Sequence, residues 1–283
     1  MASIAGRSLE SPREREEPVA APQYHLKISD GDVAPYVLLP GDPGRVETIA
    51  AMWDTARHVA TNREYVTYTG TFRGAPISCV STGIGAPSTS IAMEELARCG
   101  ADTFLRVGTC GTVQSDLPNG TVAIFDSAMR LDGSSRAYAP IEFPAVASYD
   151  VVAACAAAAA ELSVASVIGT TRSADTFYAG HPRPGSSFGG YWQSAWREHF
   201  EDLRRLNVVA AEMEASVIFV LARVWGLRAG GMAVILDNVL EVSDDAGVFD
   251  PRDQLDHSAE HIDRVCRVAN EAVRRLWEAD QNA

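Results

Sequence analysis

The sequence predicts an α/β fold, in which helices and strands alternate along the chain. Short apolar, strand-like segments are separated by helical ones throughout, and no linker is long enough to divide the chain into two domains. Twice, a strand runs into a glycine-rich turn that opens a helix, at residues 36–53 and 77–99. We therefore expect a single domain over residues 24–283, preceded by a disordered tail at residues 1–23.

Composition and net charge indicate which binding partners and which cellular compartment are compatible with the sequence. The 283 residues carry a formal net charge of −13, which disfavours binding to nucleic acid. The five scattered cysteines show no metal-ligand spacing and indicate a reducing, cytoplasmic setting. Neither a signal peptide nor an apolar run of about 18 residues is found, so no contact with a membrane is expected.

The elements follow from hydrophobic periodicity and turn signals. Strands are expected at residues 36–39, 57–61, 65–72, 77–81, 103–107, 122–126, 165–173, 208–211 and 232–236. Helices are expected at residues 43–53, 91–99, 149–162, 192–205, 215–225 and 255–278. Three loops are expected: a turn-rich connection at 129–143, a glycine- and proline-rich candidate ligand loop at 176–191, and an acidic loop at 242–254.

The stretch from Gly83 to Gly111 contains two glycine turns, joined by a helix and a strand. The second turn is predicted at residues 108–111, where bare backbone N–H groups could cradle an anion. Arg106 ends the apolar strand just before it, and Arg45 follows an earlier strand-to-helix turn. A buried arginine needs an anionic partner, so Arg106 indicates either a bound anion or an ordinary salt bridge.

Two carboxylates, Glu212 and Glu214, flank Met213 directly after the strand at 208–211. They could simply favour the N-terminus of the next helix through its dipole. Because the flanking segments are apolar, we expect Glu214 to be buried or to face a cavity. A carboxylate in that position needs hydrogen-bond donors, and sugar hydroxyls would serve.

In combination, these residues resemble the nucleoside phosphorylase family, which includes uridine phosphorylases and the hexameric purine nucleoside phosphorylases. The similarity covers residues 24–276 and is greatest to the uridine phosphorylases of bacteria. Five motifs carry it, in this order: Pro40-Gly41-Asp42-Pro43-Gly44-Arg45, Ser81-Thr82-Gly83-Ile84-Gly85, Phe104-Leu105-Arg106-Val107-Gly108-Thr109, Asp175-Thr176-Phe177-Tyr178 and Glu212-Met213-Glu214-Ala215-Ser216.

The resemblance implies an enzyme of reversible phosphorolysis, in which a nucleoside and phosphate give a free base and ribose 1-phosphate. It implies a three-layer α/β/α sandwich around a central mixed, partly barrel-like sheet. It also implies a homo-oligomer, either a dimer or a hexamer built as a trimer of dimers. No cofactor is implied apart from phosphate as co-substrate.

The resemblance assigns roles at the phosphate and the ribose. Phosphate would be held by Gly41, Arg45, Arg106 and Thr109, and by Arg63 reaching into a neighbouring subunit. The ribose would be held by Thr109, Met213 and Glu214, and by His25 across the dimer interface. The residues implied in catalysis are Arg106, Glu212 at the sugar–base junction, Glu214 and Asp237. An ordinary surface histidine is the alternative for His25.

The base would contact residues of two segments, namely Phe177, His181, Arg183, Ile235 and Asp237. Bacterial uridine phosphorylases carry glutamine and arginine spaced by one residue; Arg183 fits the arginine, but His181 cannot offer a donor and an acceptor side by side. Asp237 and Asn238 replace an Asn-Arg pair, and purine-type relatives use an aspartate near this strand end as an acid. Phe177 could instead be a core aromatic, and Asp237 a cap or loop residue.

Relatives of the uridine type can also hold a potassium ion between subunits, at positions that Glu64, Ile84 and Ser88 match. An ordinary interface carboxylate and hydroxyl remain the alternative for these residues.

Three functions stay open. The first is a phosphorylase acting on uridine or a related pyrimidine nucleoside, or else on a purine or modified-base nucleoside. The second is a nucleosidase that uses water, which is disfavoured because water needs no cationic cradle such as Arg45 and Arg106. The third is a protein that binds nucleosides without turning them over.

Overall fold

A computed structural model describes residues 21–241 and 255–283. The predicted tail therefore lies outside the described residues, except for 21–23, and the predicted acidic loop lies outside them entirely. Across the described part of the chain, no helix combines the length and apolar character needed to span a bilayer.

The elements alternate along the chain as predicted. The strands are β1 (Tyr36–Leu39), β2 (Thr55–Asn62), β3 (Tyr65–Phe72), β4 (Ala75–Val80), β5 (Thr103–Thr112), β6 (Val122–Leu131), β7 (Ala145–Val146), β8 (Ser166–Ala174), β9 (Ala210–Glu212) and β10 (Arg228–Asn238). The helices are α1 (Pro43–Ala50), α2 (Ala86–Arg98), α3 (Ser134–Tyr138), α4 (Tyr149–Glu161), α5 (Ser194–Arg205), α6 (Ala215–Trp225) and α7 (Ala259–Gln281).

These strands form one mixed sheet, part of which closes on itself. The ring runs from β5 to β10, then to β6, β8 and β9, and β9 pairs back with β5. From β5 the sheet continues as an open extension through β1, β4, β3 and β2. The expectation of a mixed, partly barrel-like sheet is confirmed.

Helices cover both faces of the sheet. Neighbouring residues of a strand point to opposite faces, so Val37 packs with α2 and α6, whereas Leu38 packs with α1, α4 and α7. Phe104 and Leu105 of β5 divide between the two faces in the same way. Burial on both sides explains why these strands are continuous apolar runs rather than alternating ones. The three-layer arrangement is confirmed.

The turn predicted at residues 108–111 is wrong, because β5 continues through these residues to Thr112, alongside β10. The glycines there permit close approach rather than a turn. A Cβ at Gly108 would lie 2.8 Å from Nη2 of Arg106, and one at Gly111 would lie 2.6 Å from Cγ1 of Val239. Either added carbon would displace the neighbouring side chain.

Other predicted bounds change as well, and three segments show how. The loop predicted at 129–143 is partly wrong, because β6 runs on to Leu131 beside β8 and the short helix α3 follows. Helix α1 ends at Ala50 rather than at residue 53. Strand β10 starts earlier and ends later than predicted, since it pairs with β5 along its length.

The turns after β1 and β4 lie against each other. The N–H of Thr82 donates to the carbonyl oxygen of Pro40 at 2.9 Å. A Cβ at Gly41 would lie 3.2 Å from the carbonyl oxygen of Gly83. Gly83 itself has a φ of 69°, in the left-handed region that favours glycine. Two glycine turns that are far apart in sequence therefore meet at one edge of the sheet.

Candidate active site

A cavity of about 660 Å³ lies where the ends of β1, β5, β9 and β10 converge. The residues with a predicted role that line it are Gly41, Arg45, Glu64, Ile84, Arg106, Thr109, Phe177, His181, Glu212, Met213, Glu214 and Asp237. The residues with a predicted role that do not line it are His25, Arg63, Ser88, Arg183 and Ile235. The chain thus gathers most of the predicted site from seven separate segments.

Arg106 is the centre of a buried ion-pair network. Its Nε donates to Glu212 Oε2 at 2.6 Å, and its Nη2 lies 2.5 Å from Glu214 Oε2. The guanidinium lies against the backbone of Gly108, which has no side chain to exclude it. The ordinary salt bridge that the sequence left open is therefore present, and it fixes the direction in which Arg106 points.

Glu212 has every oxygen occupied by a donor from the chain itself. Besides Arg106, it accepts hydrogen bonds from the hydroxyl of Ser173 and from the backbone N–H groups of Glu214 and Ala215. Its side chain has no exposed surface. A carboxylate with two oxygens is close to saturated by these donors. Glu212 is therefore placed to hold Arg106 and to fix the start of α6.

Glu214 uses fewer of its acceptor positions. Oε1 accepts from the N–H of Gly85 at 2.6 Å, and Oε2 accepts from Arg106. Burial raises the pKa of Glu214, and the charge of Arg106 opposes that rise. For Arg106, burial works against the charge, but Glu214 and Glu212 outweigh it and raise the pKa. A carboxylate offers about four lone-pair positions, so Glu214 can still accept from a ligand's hydroxyl groups.

Arg45 brings a second guanidinium to the same end of the cavity. Its one hydrogen bond within the described residues runs from Nη1 to the carbonyl oxygen of Val107, at a long 3.4 Å. No ion pair of Arg45 is found in that part of the chain. Burial lowers its pKa, and the charge of Arg106 acts in the same direction. Two cations that repel each other in a cavity make a site suited to an anion.

Three of the residues predicted for the base, Phe177, His181 and Asp237, line another part of the cavity, its base end. The N–H of Arg183 donates to Nδ1 of His181 at 3.2 Å, which assigns the proton of the neutral ring to Nε2. Burial, reinforced by Arg183 and Arg172, lowers the pKa of His181 to about 3. The side chain of Arg183 pairs with Asp237 instead of lining the cavity, with Nη2 at 3.1 Å from Oδ2.

Asp237 is unusual for a carboxylate in an ion pair. Burial raises its pKa to about 6, although the charge and the hydrogen bond of Arg183 act to lower it. The alternative of an exposed cap or loop residue does not apply, since Asp237 is buried within β10. An aspartate of this pKa can exist in both protonation states near neutral pH, which a proton donor requires.

Ile235 and Phe177, two further residues predicted to contact the base, lie in different surroundings. Ile235 lies fully buried in the apolar core, and its neighbour Leu236 lines the cavity instead. The pairing of β10 with β5 shifts register between Ile235 and Asp237, so alternation along the strand does not place Ile235 inward. Phe177 lines the cavity with 42% of its surface exposed, so it is not a core aromatic.

His25 and Arg63 lie outside the cavity of this chain. His25 Nδ1 is 2.8 Å from Oε1 of the buried Glu95, which also accepts from the backbone N–H groups of His25 and Leu26. Arg63 is exposed, with a φ of 55°. Both were predicted to serve a neighbouring subunit's site, and that role stays a prediction.

The residues matched to a potassium site do lie together. A Cβ at Gly83 would meet Cγ of Glu64 at 2.8 Å and Oγ of Ser88 at 3.3 Å. The hydroxyl of Ser88 also donates to the carbonyl oxygen of Ile84 at 3.4 Å. A carboxylate, a carbonyl and a hydroxyl are the oxygen donors that hard cations take, so the chemistry of this set fits the ion.

Several residues that line the cavity were not singled out from the sequence: Cys110, Arg172, Phe200, Ala211, Leu236 and Val239. One sequence feature could have identified Arg172, since it is a lone cation near the end of the predicted strand at 165–173. No such feature marks Phe200 and Val239, because their approach depends on how α5 covers the end of the ring.

Comparison with known proteins identifies the family of this chain. The model of the phosphorylase superfamily matches residues 35–274. The chain is 44% identical to the uridine phosphorylase of Thermococcus kodakarensis, over 95% of this chain and 91% of that protein. It is 39% identical to the uridine phosphorylase of Treponema pallidum, over 91% of this chain and 95% of that protein.

A relative with a different name is similar over as much of the chain. The guanosine phosphorylase of Halorubrum lacusprofundi is 37% identical, over 90% of this chain and 100% of that protein. The family match, the identity to these relatives and the fold all agree, and the chain belongs to the phosphorylase superfamily.

Proposed function

We propose that this protein is a nucleoside phosphorylase, a pentosyltransferase whose best-supported substrate is uridine. A phosphate oxygen bonds to C1′ of the ribose while the C1′–N bond breaks. The base leaves with the bonding electrons and gains a proton, and ribose 1-phosphate remains. The observation that carries the proposal is the pair of guanidinium groups, Arg45 and Arg106, beside Glu214 at one end of the cavity.

The two arginines serve phosphate in different ways. Arg106 is held by Glu212 and Glu214, so it presents its guanidinium in a fixed direction and needs little rearrangement. Arg45 has no carboxylate partner within the described residues, so it supplies positive charge that the chain does not already neutralise. Thr109 and the turn at Gly41 line the same region and add donors. Together they hold the nucleophile in reach of C1′.

The ribose lies between phosphate and base in this proposal. Glu214 accepts from its hydroxyls with the lone pairs that Gly85 and Arg106 leave unused, and Met213 packs beneath the ring. Breaking the C–N bond builds positive charge on the sugar. A carboxylate that binds the ribose hydroxyls lies near C1′, so it favours that charge and lowers the barrier.

The departure of the base is assisted either by donors to its carbonyl oxygens or by protonation of a ring nitrogen. Separate observations favour each. Uridine is supported by the names of the two relatives of highest identity given above, and a pyrimidine anion needs donors near its carbonyl oxygens. A purine is supported by Asp237, whose pKa of about 6 suits protonation of a ring nitrogen, and by the guanosine phosphorylase relative.

We further propose that the active unit is a cytoplasmic homo-oligomer. His25 and Arg63 lie outside the cavity of their own chain, which suits residues that complete the site of a neighbour. Glu64, the Ile84 carbonyl and Ser88 would hold a potassium ion at that interface, where it would stabilise the assembly through charge neutralisation.

The test is a panel of uridine, thymidine, cytidine, inosine, guanosine and adenosine, each incubated with and without phosphate. Base release and ribose 1-phosphate formation are measured together by chromatography. Phosphate-dependent formation of both products from uridine supports the proposal. Base release at the same rate with and without phosphate would indicate a nucleosidase. Binding without turnover of any nucleoside would indicate a binding protein.

A further inference from the structure

Arg172 is a cavity-lining cation that has no role in the function proposed above. It lies on β8, opposite Met129 of β6 and Ala211 of β9. Its guanidinium carbon is 4.9 Å from the centre of the Phe200 ring on α5, close enough for a cation–π contact. Stacking on a buried ring holds the flat guanidinium in one plane. The position is therefore defined, rather than that of a mobile surface arginine.

The donors of Arg172 are not used within the described residues. Its side chain makes no hydrogen bond or ion pair there, and its Nε is fully buried without a partner. Burial lowers its pKa to about 10, and the charge of Glu212 opposes that shift. A guanidinium carries five N–H donors, and leaving a buried one such as Nε of Arg172 without an acceptor is unfavourable. A ligand that offers acceptors would remove that penalty.

The location of Arg172 matches the base rather than the phosphate. A Cβ at Gly180, in the loop that carries Phe177 and His181, would lie 3.8 Å from Nη2 of Arg172. Arg172 also contributes to the low pKa of His181, so their charges act on each other at short range. The phosphate end, at Arg45 and Arg106, is formed by other strands.

Arg183, by contrast, is turned away from the cavity. Its Nη2 donates to Asp237 at 3.1 Å and to the carbonyl oxygen of Asn238 at 2.7 Å, and the residue does not line the cavity wall. Of the two arginines at the base end, Arg172 is the one that lines the cavity. The neutral ring of His181 accepts from the N–H of Arg183 at Nδ1, so its proton lies on Nε2.

Resting on the proposed function, we propose that Arg172 selects the base by its carbonyl oxygens. A guanidinium can only donate, so a base with a carbonyl group, such as uracil or hypoxanthine, satisfies it. A base that carries an exocyclic amine in that place, such as cytosine or adenine, would direct the N–H donors of its amine toward the N–H donors of the guanidinium. A site built to bond one substituent strongly rejects the analogue that lacks it. Arg172 is then a specificity-determining residue for keto over amino bases.

The test compares Arg172→Met, which keeps the length and loses the donors, with Arg172→Lys, which keeps a charge. The kcat/KM values for uridine against cytidine, and for inosine against adenosine, are measured with saturating phosphate. Arg172→Met should reduce the keto-to-amino ratio by about tenfold or more, as for loss of a charged hydrogen bond. Arg172→Lys should keep part of the ratio.

A matched control is Arg205→Met, which removes an arginine from the exposed end of α5 and should leave both ratios unchanged. If Arg172 only supports α5 through Phe200, the Arg172→Met variant loses activity on all four nucleosides equally. An unchanged ratio of this kind overturns the proposal. So does a wild-type protein that prefers cytidine or adenosine.

Calorimetry with free bases separates this inference from the proposed function. Uracil and cytosine, then hypoxanthine and adenine, are titrated into wild type and Arg172→Met with phosphate present. Tighter binding of the keto bases to wild type, lost in the variant, supports the role of Arg172 even if no nucleoside is cleaved. Equal binding to both proteins, or no binding of any base to wild type, overturns it.

Discussion

Arg183 and Asp237 form a buried ion pair, with Nη2 of the arginine 3.1 Å from Oδ2 of the aspartate. From the sequence these two residues appear as alternatives, one suited to a pyrimidine and the other to a purine. In the structure they are one unit, because the guanidinium directly influences the proton affinity of the carboxyl. Asp237 has a pKa of about 6 that burial sets and Arg183 restrains.

This pair predicts a pH effect if a purine nucleoside is turned over. A proton donor must be protonated, so activity is present below the pKa of about 6 and falls as pH rises through it. Arg183 holds that pKa down, so Arg183→Ala should move the fall in kcat to higher pH. The measurement is the pH profile of kcat for inosine.

The control for that profile is Asp237→Asn, which should have low activity on inosine and no fall near pH 6. Uridine turnover should show no such fall in either protein, since a pyrimidine anion does not need this acid. If the pH profile of kcat for inosine is the same in Arg183→Ala as in the wild type, Arg183 does not control the pKa of Asp237.

Arg45 gives a prediction in which stability and activity change in opposite directions. Its folded-state pKa is lowered, so the charge of Arg45 destabilises the folded protein at every pH below that pKa. Arg45→Met keeps the packing and removes the charge, so the melting temperature should stay the same or rise. The KM for phosphate should rise about tenfold or more, because a charged donor is lost.

The control for Arg45 is Arg98→Met, at an exposed arginine of α2 that pairs with Glu94 one turn away. That variant should keep its phosphate KM, and its stability should change little. A lower melting temperature together with an unchanged phosphate KM in Arg45→Met would mean that Arg45 is structural.

The parts of the fold that were predicted well are those set by local pattern. Helix α6 has the predicted bounds, because the apolar run of 215–225 is closed by Gly226 in the left-handed conformation. Strand β3 also has the predicted bounds, between a turn at residues 63–64 and one at 73–74. Gly226 and Gly74, both in the left-handed region, follow the C-terminal ends of these two elements, and such signals make bounds readable from sequence.

The misplaced parts depend on contacts between distant segments. Gly108 resembles a turn residue in sequence, but it is glycine because the guanidinium of Arg106 lies over it. Ile235 seemed as suitable as Leu236 until the register shift between β5 and β10 decided which one faces the cavity. The position of Arg172 is fixed by stacking on Phe200, and the helix that carries Phe200 is adjacent only after folding. No local pattern encodes these relationships.

Arg106 should be essential for phosphate. Arg106→Ala removes the guanidinium that is proposed to bind phosphate, so the phosphate-dependent rate should fall roughly 30-fold or more, equivalent to about 2 kcal/mol for loss of a buried charged hydrogen bond. Because it leaves Glu212 and Glu214 buried without their cation, the variant could lose stability as well. Circular dichroism and the melting temperature distinguish the two effects.

A second variant at this position keeps the charge. Arg106→Lys cannot reach Glu212 and Glu214 at once with a fork of donors, so it should fold and still be impaired. Near-normal phosphate kinetics in a folded Arg106→Ala protein would remove Arg106 from the phosphate site.

Sharing of residues between subunits can be tested by complementation. His25 and Arg63 lie outside their own cavity, so each site should need a neighbour's His25. A His25→Ala chain keeps Arg106, and an Arg106→Ala chain keeps His25. Mixed after dissociation and reassembly, they should regain activity above the sum of the separate proteins. A monomer by sedimentation with full activity would rule out the shared site.

His181→Gln tests how far the base pocket has moved from the pyrimidine pattern. The ring of His181 stays neutral above a pKa of about 3 and presents its Nε2 proton, so it gives the pocket a donor without the paired acceptor. Glutamine supplies both groups side by side, and kcat/KM for uridine should rise. His199→Gln on α5 is the matched control and should have no such effect. If uridine turnover falls instead, while inosine turnover is kept, the pocket of this protein is adapted to a base other than uracil.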